Sequence, residues 1–567
     1  MTKTTTFSVK FSGNFDDYTG PIVSGNDLYR RAMATSPVLF PKYYMPDENH
    51  ASTSHILFGN AGDGNYINPY AEMIRGYKQY TKSVISAQAE LNQKLDFITP
   101  GLSIKVFAST TRESYSGQQR STSPFYYSIS YYDKLTDTYT LRELNPNGGR
   151  EDLDYKAEGN QVSSSYYYEA SLNYNRTFRE KHNITGLLVG VLRENKSGGA
   201  SSIQTSLPAR NIGLSGRFTY AYDGRYFAEA NFGYNGSENF APKKRFGFFP
   251  SAAIGYMISN EAFWEPISHI VSVLKFKGSY GIIGNDQIGG NRRFAFNSEM
   301  ADVNGYTFGT TGGNPISGIG TGYPGNPYVS WEEAKKMNIG VELELYNSLK
   351  LNVDYFHERR SGIFIARGAV PSVVGVNVNP YLNLGEMENK GVDASLEYYK
   401  TINKDWNISV RGNFTYNRNK KLYDDQPSAN YPYKDVIGKP WNQQFGYIAL
   451  GYFRTESEIQ NSPKQIGNPR VGDLKYKDIN GDGIVDTDDY VAIGRTAIPE
   501  INYGFGANIS YKDFDVAFFF QGIGNVTGFI GGETIDMSDT NQLFSNVYQD
   551  VALNYWRPDR PNAKYPR

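Results

Sequence analysis

Residues 211–235 alternate so strictly that two faces can be assigned at once. Ile212, Leu214, Phe218, Tyr220 and Tyr222 share one face and Ser215, Arg217 and Thr219 the other, as the period of a strand requires. Past the short turn "YDGR", Tyr226, Ala228, Ala230, Phe232 and Tyr234 oppose Glu229, Asn231 and Asn235. Two such stretches around so short a turn predict a hairpin. The same grammar recurs at Ile339–Leu345 and Leu349–Tyr355 around "YNS", and at Val392–Tyr398 and Trp406–Tyr416 around "TINKD".

The connections constrain the fold further. Short turns ("ITPG", "YDGR", "YNS", "TINKD", "YKDF") alternate with long polar stretches at 15–80, 284–328, 359–389 and 419–499. Soluble domains rarely carry so many long loops, whereas outer-membrane barrels place short turns on the periplasmic side and long loops outside. Roughly fifteen strands of about ten residues can be counted, the length a tilted strand needs to cross a bilayer. Tyr220, Tyr222, Tyr398 and Tyr416 lie at strand ends, where a ring with an apolar body and a wet hydroxyl suits the membrane interface. The expected fold is all-β, an antiparallel transmembrane β-barrel. An odd strand count cannot close a single-chain bacterial barrel, so 1–567 is expected to be part of one.

Composition agrees. The chain has 46 Tyr, 33 Phe and 58 Gly with an apolar fraction of only 39%, rich in strand-forming aromatics but too polar for helical spans. The densest apolar run, Val516–Phe520, is far too short for a spanning helix. Lys and Arg total 57 against 58 Asp and Glu, which leaves no net field to attract nucleic acid. No Cys is present, so there is no disulfide framework and no thiolate chemistry. The opening "MTKTTTFSVKFSGNF" has neither the apolar core nor the small-residue cleavage site of a signal peptide. The competing class is a soluble extracellular β-protein, an adhesin or glycan-binding module stabilised by calcium, whose apolar strand faces would pack against each other.

Longer segments carry a resemblance. "GDLKYKDINGDGIVDTDDYVAIGRTAIPEINYGFGANISYKDFDVAFFFQGIGN" (Gly472 to Asn525), "LKFKGSYGIIGNDQI", "NLGEMENKGVDASLEY" and "YWRPDRPNAKYPR" resemble, in family order, the SusC/RagA-type TonB-dependent outer-membrane transporters of Bacteroidota. The resemblance implies a barrel of twenty-two strands, of which this chain holds roughly fifteen, with a plug domain and C-terminal strands lying elsewhere. It also implies import of glycans, oligosaccharides or peptides, a SusD-like surface lipoprotein as lid, and energy from TonB through the plug. Glu342, Glu344, Asp393, Glu397 and Arg411, on polar strand faces, are expected to line the lumen.

Within 419–499 lies "DINGDGIVDTDD" (residues 478–489), with the spacing of an EF-hand calcium loop. Asp478, Asn480 and Asp482 take positions 1, 3 and 5, Ile484 the backbone-carbonyl position 7, Asp486 position 9 and Asp489 position 12, with Gly483 at the bend. Without a cation these carboxylates would repel one another, so calcium in a structural role is expected. Asp in place of Glu at position 12 shortens the reach by one methylene and predicts an affinity in the ~10⁻⁴–10⁻³ M class. A dockerin ends its loop in a similar way but needs a second loop, and here a strand follows.

Other candidates are diffuse. Tyr43, Tyr44, Tyr66, Tyr70, Tyr431, Tyr433 and Trp441 lie in long loops, where they can stack on a sugar or peptide but more commonly hold loops together. His50, His55, His182, His269 and His357 form no metal-binding motif, and His50 and His55 read as surface positions. No GxSxG elbow opens a helix, and "GIGNVTG" (Gly522 to Gly528) reads as a strand end. No enzymatic activity is expected.

Overall fold

A computed structural model describes residues 2–62, 67–200, 202–288, 292–368, 370–374, 378–529 and 548–567. Fifteen strands form one antiparallel sheet in chain order. They are β1 (Thr5–Pro21), β2 (Gly76–Lys94), β3 (Leu102–Ser123), β4 (Arg150–Phe178), β5 (His182–Ser197), β6 (Ala209–Tyr222), β7 (Tyr226–Ser237) and β8 (Phe246–Met257). The sheet continues through β9 (Val271–Asn285), β10 (Glu332–Leu345), β11 (Leu349–Ala366), β12 (Tyr381–Thr401), β13 (Trp406–Tyr423), β14 (Ile501–Tyr511) and β15 (Phe514–Gly524). β1 and β15 are its two edges.

Turn chemistry explains the short side. Asp223 and Gly224, between β6 and β7, both take left-handed φ of 51° and 64°, the pair of positive angles that matches the twist of a tight hairpin. Tyr346 and Asn347 do the same between β10 and β11, at 53° and 49°. The other ends of the strands carry the long connections.

Those long connections are built, not structureless. Residues 124–149 fold into a hairpin of Tyr126–Asp133 and Thr138–Glu143, and the β9–β10 connection contains another, Met300–Phe308 with Asn314–Thr321. The strands also run further than their apolar alternation. Residues 359–366 and 381–389, expected in a loop, belong to β11 and β12, and the first half of β4, Arg150–Val162, is exposed on both faces. On that half of β4 the ladder stands in water on both sides, so nothing selects an apolar face and the period of two disappears from the sequence; on β11 and β12 it is broken by register shifts at Arg360/Ile363 and Ile363/Phe364 and by the packing of Phe364 into the loop core.

Apolar burial is divided between two places. The buried clusters lie on the long-loop side: Tyr44, Leu57, Tyr127 and Leu141 form one, and Phe240, Ile288, Val329 and Phe364 another. On the strands the apolar face remains bare, with Phe218 at 51%, Ile254 at 71% and Phe505 at 50% exposure. No second layer covers it among the described residues. This does not favour the soluble alternative, which required these faces to pack together.

Candidate functional site

Register fixes which side chains look inward. Across β10–β13, Gly340, Asp354, Asp393 and Thr415 are paired in sequence on one face, followed by Glu342, Asn352, Ser395 and Asn413, and then by Glu344, Lys350, Glu397 and Arg411. This is the polar face expected from alternation, and it holds each of the five lumen residues named from the sequence.

Several of its charges are paired within the wall. Lys277 Nζ lies 3.2 Å from both Glu342 and Asp354, Lys336 lies 3.1 Å from Glu358, and Arg217 lies 2.7 Å from Glu229. Asp393 accepts from Thr415 Oγ1 at 2.7 Å. A concavity of about 560 Å³ opens on this wall over Glu229, Asn231, Ser251, Lys336, Glu358 and Asp393. A larger one, about 990 Å³, lies toward the long loops between Ser163, Asn195, Asn211, Asp286 and Arg293. There Asn211 Nδ2 donates to Asp286 at 2.7 Å, and Arg293 is spent on the carbonyls of Leu207 and Pro208. Burial pushes the Arg293 guanidinium below its ordinary pKa, yet it remains charged at neutral pH. Amide and hydroxyl groups on such walls can exchange hydrogen bonds with a neutral polymeric ligand.

The loop aromatics divide by role. Tyr44 belongs to a buried cluster and Tyr70 packs against another. Tyr43 lies 6.1 Å from the Tyr70 ring and 4.9 Å from Lys42 Nζ. Tyr431 and Tyr433 stack at 5.3 Å, and Lys421 Nζ sits 4.6 Å over Trp441. These contacts hold loops together; Tyr66 lies outside the described residues. His50 and His55 are not surface decoration. His50 Nδ1 meets Asp47 at 2.5 Å, and His55 stacks on Phe125 at 4.0 Å with its Nε2 2.8 Å from Tyr127 Oη. They pin the β1–β2 connection to the 126–143 hairpin, a long-range pairing that no local pattern encodes.

The acidic loop at 478–489 folds around its own amides. Asp478 accepts from Gly481 N at 2.7 Å and Gly483 N at 2.9 Å, Asp482 from Ile484 N at 2.8 Å, and Asp486 from Asp488 N at 2.7 Å. Gly483 has φ of 86°, the left-handed bend its position requires. Asp489 is fully buried and accepts from Ile479 N at 2.6 Å and Asp486 N at 2.9 Å. The repulsion expected among the carboxylates is thus answered partly by these amides, and by Lys434 Nζ at 2.6 Å from Asp488. The field remains negative: burial, then Tyr431, Asp489, Asp488 and Asp482, raise the Tyr433 phenol above its ordinary pKa. Among the described residues no three His, Asp or Glu side chains converge as a metal group.

Residues 8–556 match the family model described as "TonB dependent receptor-like, beta-barrel". The chain belongs to this family. It is 26% identical over 460 residues to TonB-dependent receptor P3 of Formosa agariphila, covering 74% of this chain and 44% of that protein. It is 27% identical over 336 residues to TonB-dependent receptor SusC of Bacteroides thetaiotaomicron, covering 56% of this chain and 31% of SusC. Among solved structures the RagAB peptide transporter matches with a TM-score of 0.67 at 19% identity, over 100% of this chain and 61% of that one. The chain spans less than half the length of the curated relatives it matches. Its type is SusC/RagA and its place is the outer membrane.

In a TonB-dependent receptor barrel the outward face meets lipid, and the register sorts that face into layers. Leu343, Leu351 and Leu396 form one row; Val341, Val353, Ala394 and Phe414 the next; Ile339, Tyr355, Val392 and Tyr416 the third. Beyond the tyrosines the next row is Met337, His357, Lys390 and Arg418, and after it Lys335, Arg359, Glu388 and Lys420. Apolar rows, an aromatic girdle and then charge are the profile of a bilayer crossed from its middle outward. Along β6 the outward positions from Ile212 to Tyr222 cover roughly 33 Å of strand, about 25 Å of membrane at a tilt near 40°.

Proposed function

We propose that this chain forms the larger part of the barrel wall of a TonB-dependent importer for oligomeric polar nutrients, glycans, oligosaccharides or peptides. The observation that carries the reading is the two-faced sheet. One face is apolar over the thickness of a membrane, and the other is a hydrogen-bonding wall that opens, below the long loops, into a cavity of about 990 Å³. A polymer too large for a porin needs such a wide wall of replaceable hydrogen bonds. The name of the RagAB peptide transporter favours peptides as one arm of the substrate class.

The barrel closes with further strands against the edges β1 and β15, whose unpaired amides are costly in lipid. A plug within the barrel takes the pull of TonB, and a SusD-like lipoprotein covers the long loops. Catalysis has no part in this function. Labelled oligosaccharides and peptides offered to cells lacking the gene test the reading. Uptake of one class should fall in the deletion strain and equally in a strain lacking TonB; unchanged uptake of both classes overturns it.

The loop at 478–489 is proposed to take calcium in a structural role, through side-chain oxygens of Asp478, Asn480, Asp482, Asp486 and Asp489 and the carbonyl of Ile484. The donor chemistry and the bend at Gly483 support this, and the carboxylate oxygens bound to amides keep a second lone pair. Calcium should raise the melting temperature of the purified protein, and Asp482→Ala should remove the effect. The absence of a calcium shift in the unmodified protein would sink this part alone.

A further inference from the structure

Arg292 and Arg293 are neighbours with opposite fates. Arg293 ties the β9–β10 connection down by donating to the carbonyls of Gln204, Leu207 and Pro208. Arg292 sits instead in an aromatic corner. The central carbon of its guanidinium lies 3.5 Å from the centre of the Tyr323 ring and 3.8 Å from that of Tyr381, and the two rings meet at 76°. The corner is anchored: Tyr381 stacks on Phe364 at 5.1 Å, against the second loop core, and its carbonyl accepts from Asn326 Nδ2 at 3.1 Å. Ring faces attract a cation and shed water from the flat of the guanidinium, but they accept none of its in-plane N–H bonds. Arg292 is partly buried, and among the described residues no carboxylate pairs with it. A cation stripped of part of its water and left without an anion is costly until a ligand supplies one.

Arg292 also lines the cavity of about 990 Å³, together with Thr111, Ser165 and Asn195, which register places in one row of the lumen wall. We propose that Arg292 reads charge in this cavity and that the ligand is an oligomer bearing a carboxylate, on an acidic or C-terminal residue of a peptide or on a uronate of a glycan. The inference rests on the importer reading and narrows its substrate class. Two parallel N–H groups of a guanidinium match the two oxygens of a carboxylate, while the hydroxyl and amide groups of the wall take the uncharged length of the chain. The other charges of the cavity limit how anionic that chain is. Lys196 is bound to Glu194 at 2.7 Å, and Arg292 and Arg293 face Asp286 and Glu113 across the same lining, so no cation surplus exists to hold a polyphosphate or a densely sulfated chain. A sparsely charged chain, with a carboxylate at Arg292 and neutral groups elsewhere, fits this balance.

The full-length transporter purified from its native membrane, titrated with an oligouronate against its methyl ester and with an acidic oligopeptide against its fully amidated form, tests this. In one pair the acid should bind about ten-fold or more tightly than its neutral counterpart, and the pair that shows the preference tells glycan from peptide. Arg292→Gln should bring that acid down to the affinity of its neutral counterpart without weakening the neutral one. Arg292→Lys, which keeps the charge and loses the fork, should recover only part of the preference. Equal binding of acid and neutral oligomer by the unmodified protein, a comparison that needs no variant to fold, overturns the inference and leaves the importer reading standing. A preference that survives Arg292→Gln in protein with heat-modifiable migration also overturns it, as does tighter binding of a densely sulfated oligosaccharide than of the uronate. Binding of none of the four oligomers overturns it too, and the importer reading then stands or falls by the uptake test alone.

Discussion

The strands and the long loops bury apolar side chains against different media. Phe218 on β6 is 51% exposed and Phe240, in the loop after β7, is 0% exposed, yet each is shielded from water, the first by hydrocarbon and the second by protein. Exposure measures hydrophobic stabilisation only once the solvent is named. The contrast extends to polar groups. On the lumen wall Arg217 and Glu229 pair in water, whereas Asp47 pairs inside a loop cluster with its side chain 4% exposed.

The largest effect that would break this comparison comes from the loop core. Phe240→Ala leaves a cavity among Ile288, Val329 and Phe364, a change that costs about 3–5 kcal/mol. It should appear as lost hydrogen-exchange protection across 286–331 with the strands still protected. If the sheet opens together with the loop, the two regions are not separate. Next, Phe218→Lys near mid-height of the lipid face should cost about 2–4 kcal/mol of folding into vesicles. Phe218→Leu should cost little. A harmless Phe218→Lys would mean that this face meets water.

Acid sharpens the loop side. Burial works to raise the Asp47 carboxyl, but hydrogen bonds from the Leu141 amide and from His50 outweigh it, so the net pKa lies below its ordinary value of 3.8. A depressed folded pKa contributes stability that is present above the unfolded value and lost as pH falls through the folded one. The joint between the β1–β2 connection and the 126–143 hairpin should therefore hold at neutral pH. Below about pH 4 it should become open to protease, before the strands do. Asp47→Asn should make that joint weak at every pH. The smallest effect is expected on the lumen wall. Arg217→Ala removes a half-exposed ion pair and should shift stability by less than about 1 kcal/mol, read as an unchanged denaturation midpoint. A large shift would show that the wall is drier than its exposure suggests.

The pattern was legible wherever two media bordered one strand. Ile212 to Tyr234 and Ile339 to Tyr355 carry the fold in their alternation because one face meets lipid and the other water. The strand count and the side of the long loops followed. Outside the membrane that contrast vanishes: both faces of the first half of β4 meet water, while in the upper parts of β11 and β12 and in the 126–143 hairpin register shifts and the burial of Phe364, Tyr126 and Tyr127 in the loop cores break the period. The loop at 478–489 was legible as a spacing of oxygen donors, but the capture of those oxygens by backbone amides was not. Hydrogen bonds to amides depend on φ and ψ, and residue spacing does not report them.

By itself, then, the chain determined a transmembrane sheet with its faces and its family, because period-two chemistry is local and the bilayer imposes it repeatedly. Tertiary structure decided what distance in sequence conceals. It joined His55 to Phe125, brought Glu342 and Asp354 onto one lysine, and set Arg292 against Tyr323 and Tyr381. Each of these needs strands or loops remote in the chain to meet in register, and register is set by the whole sheet.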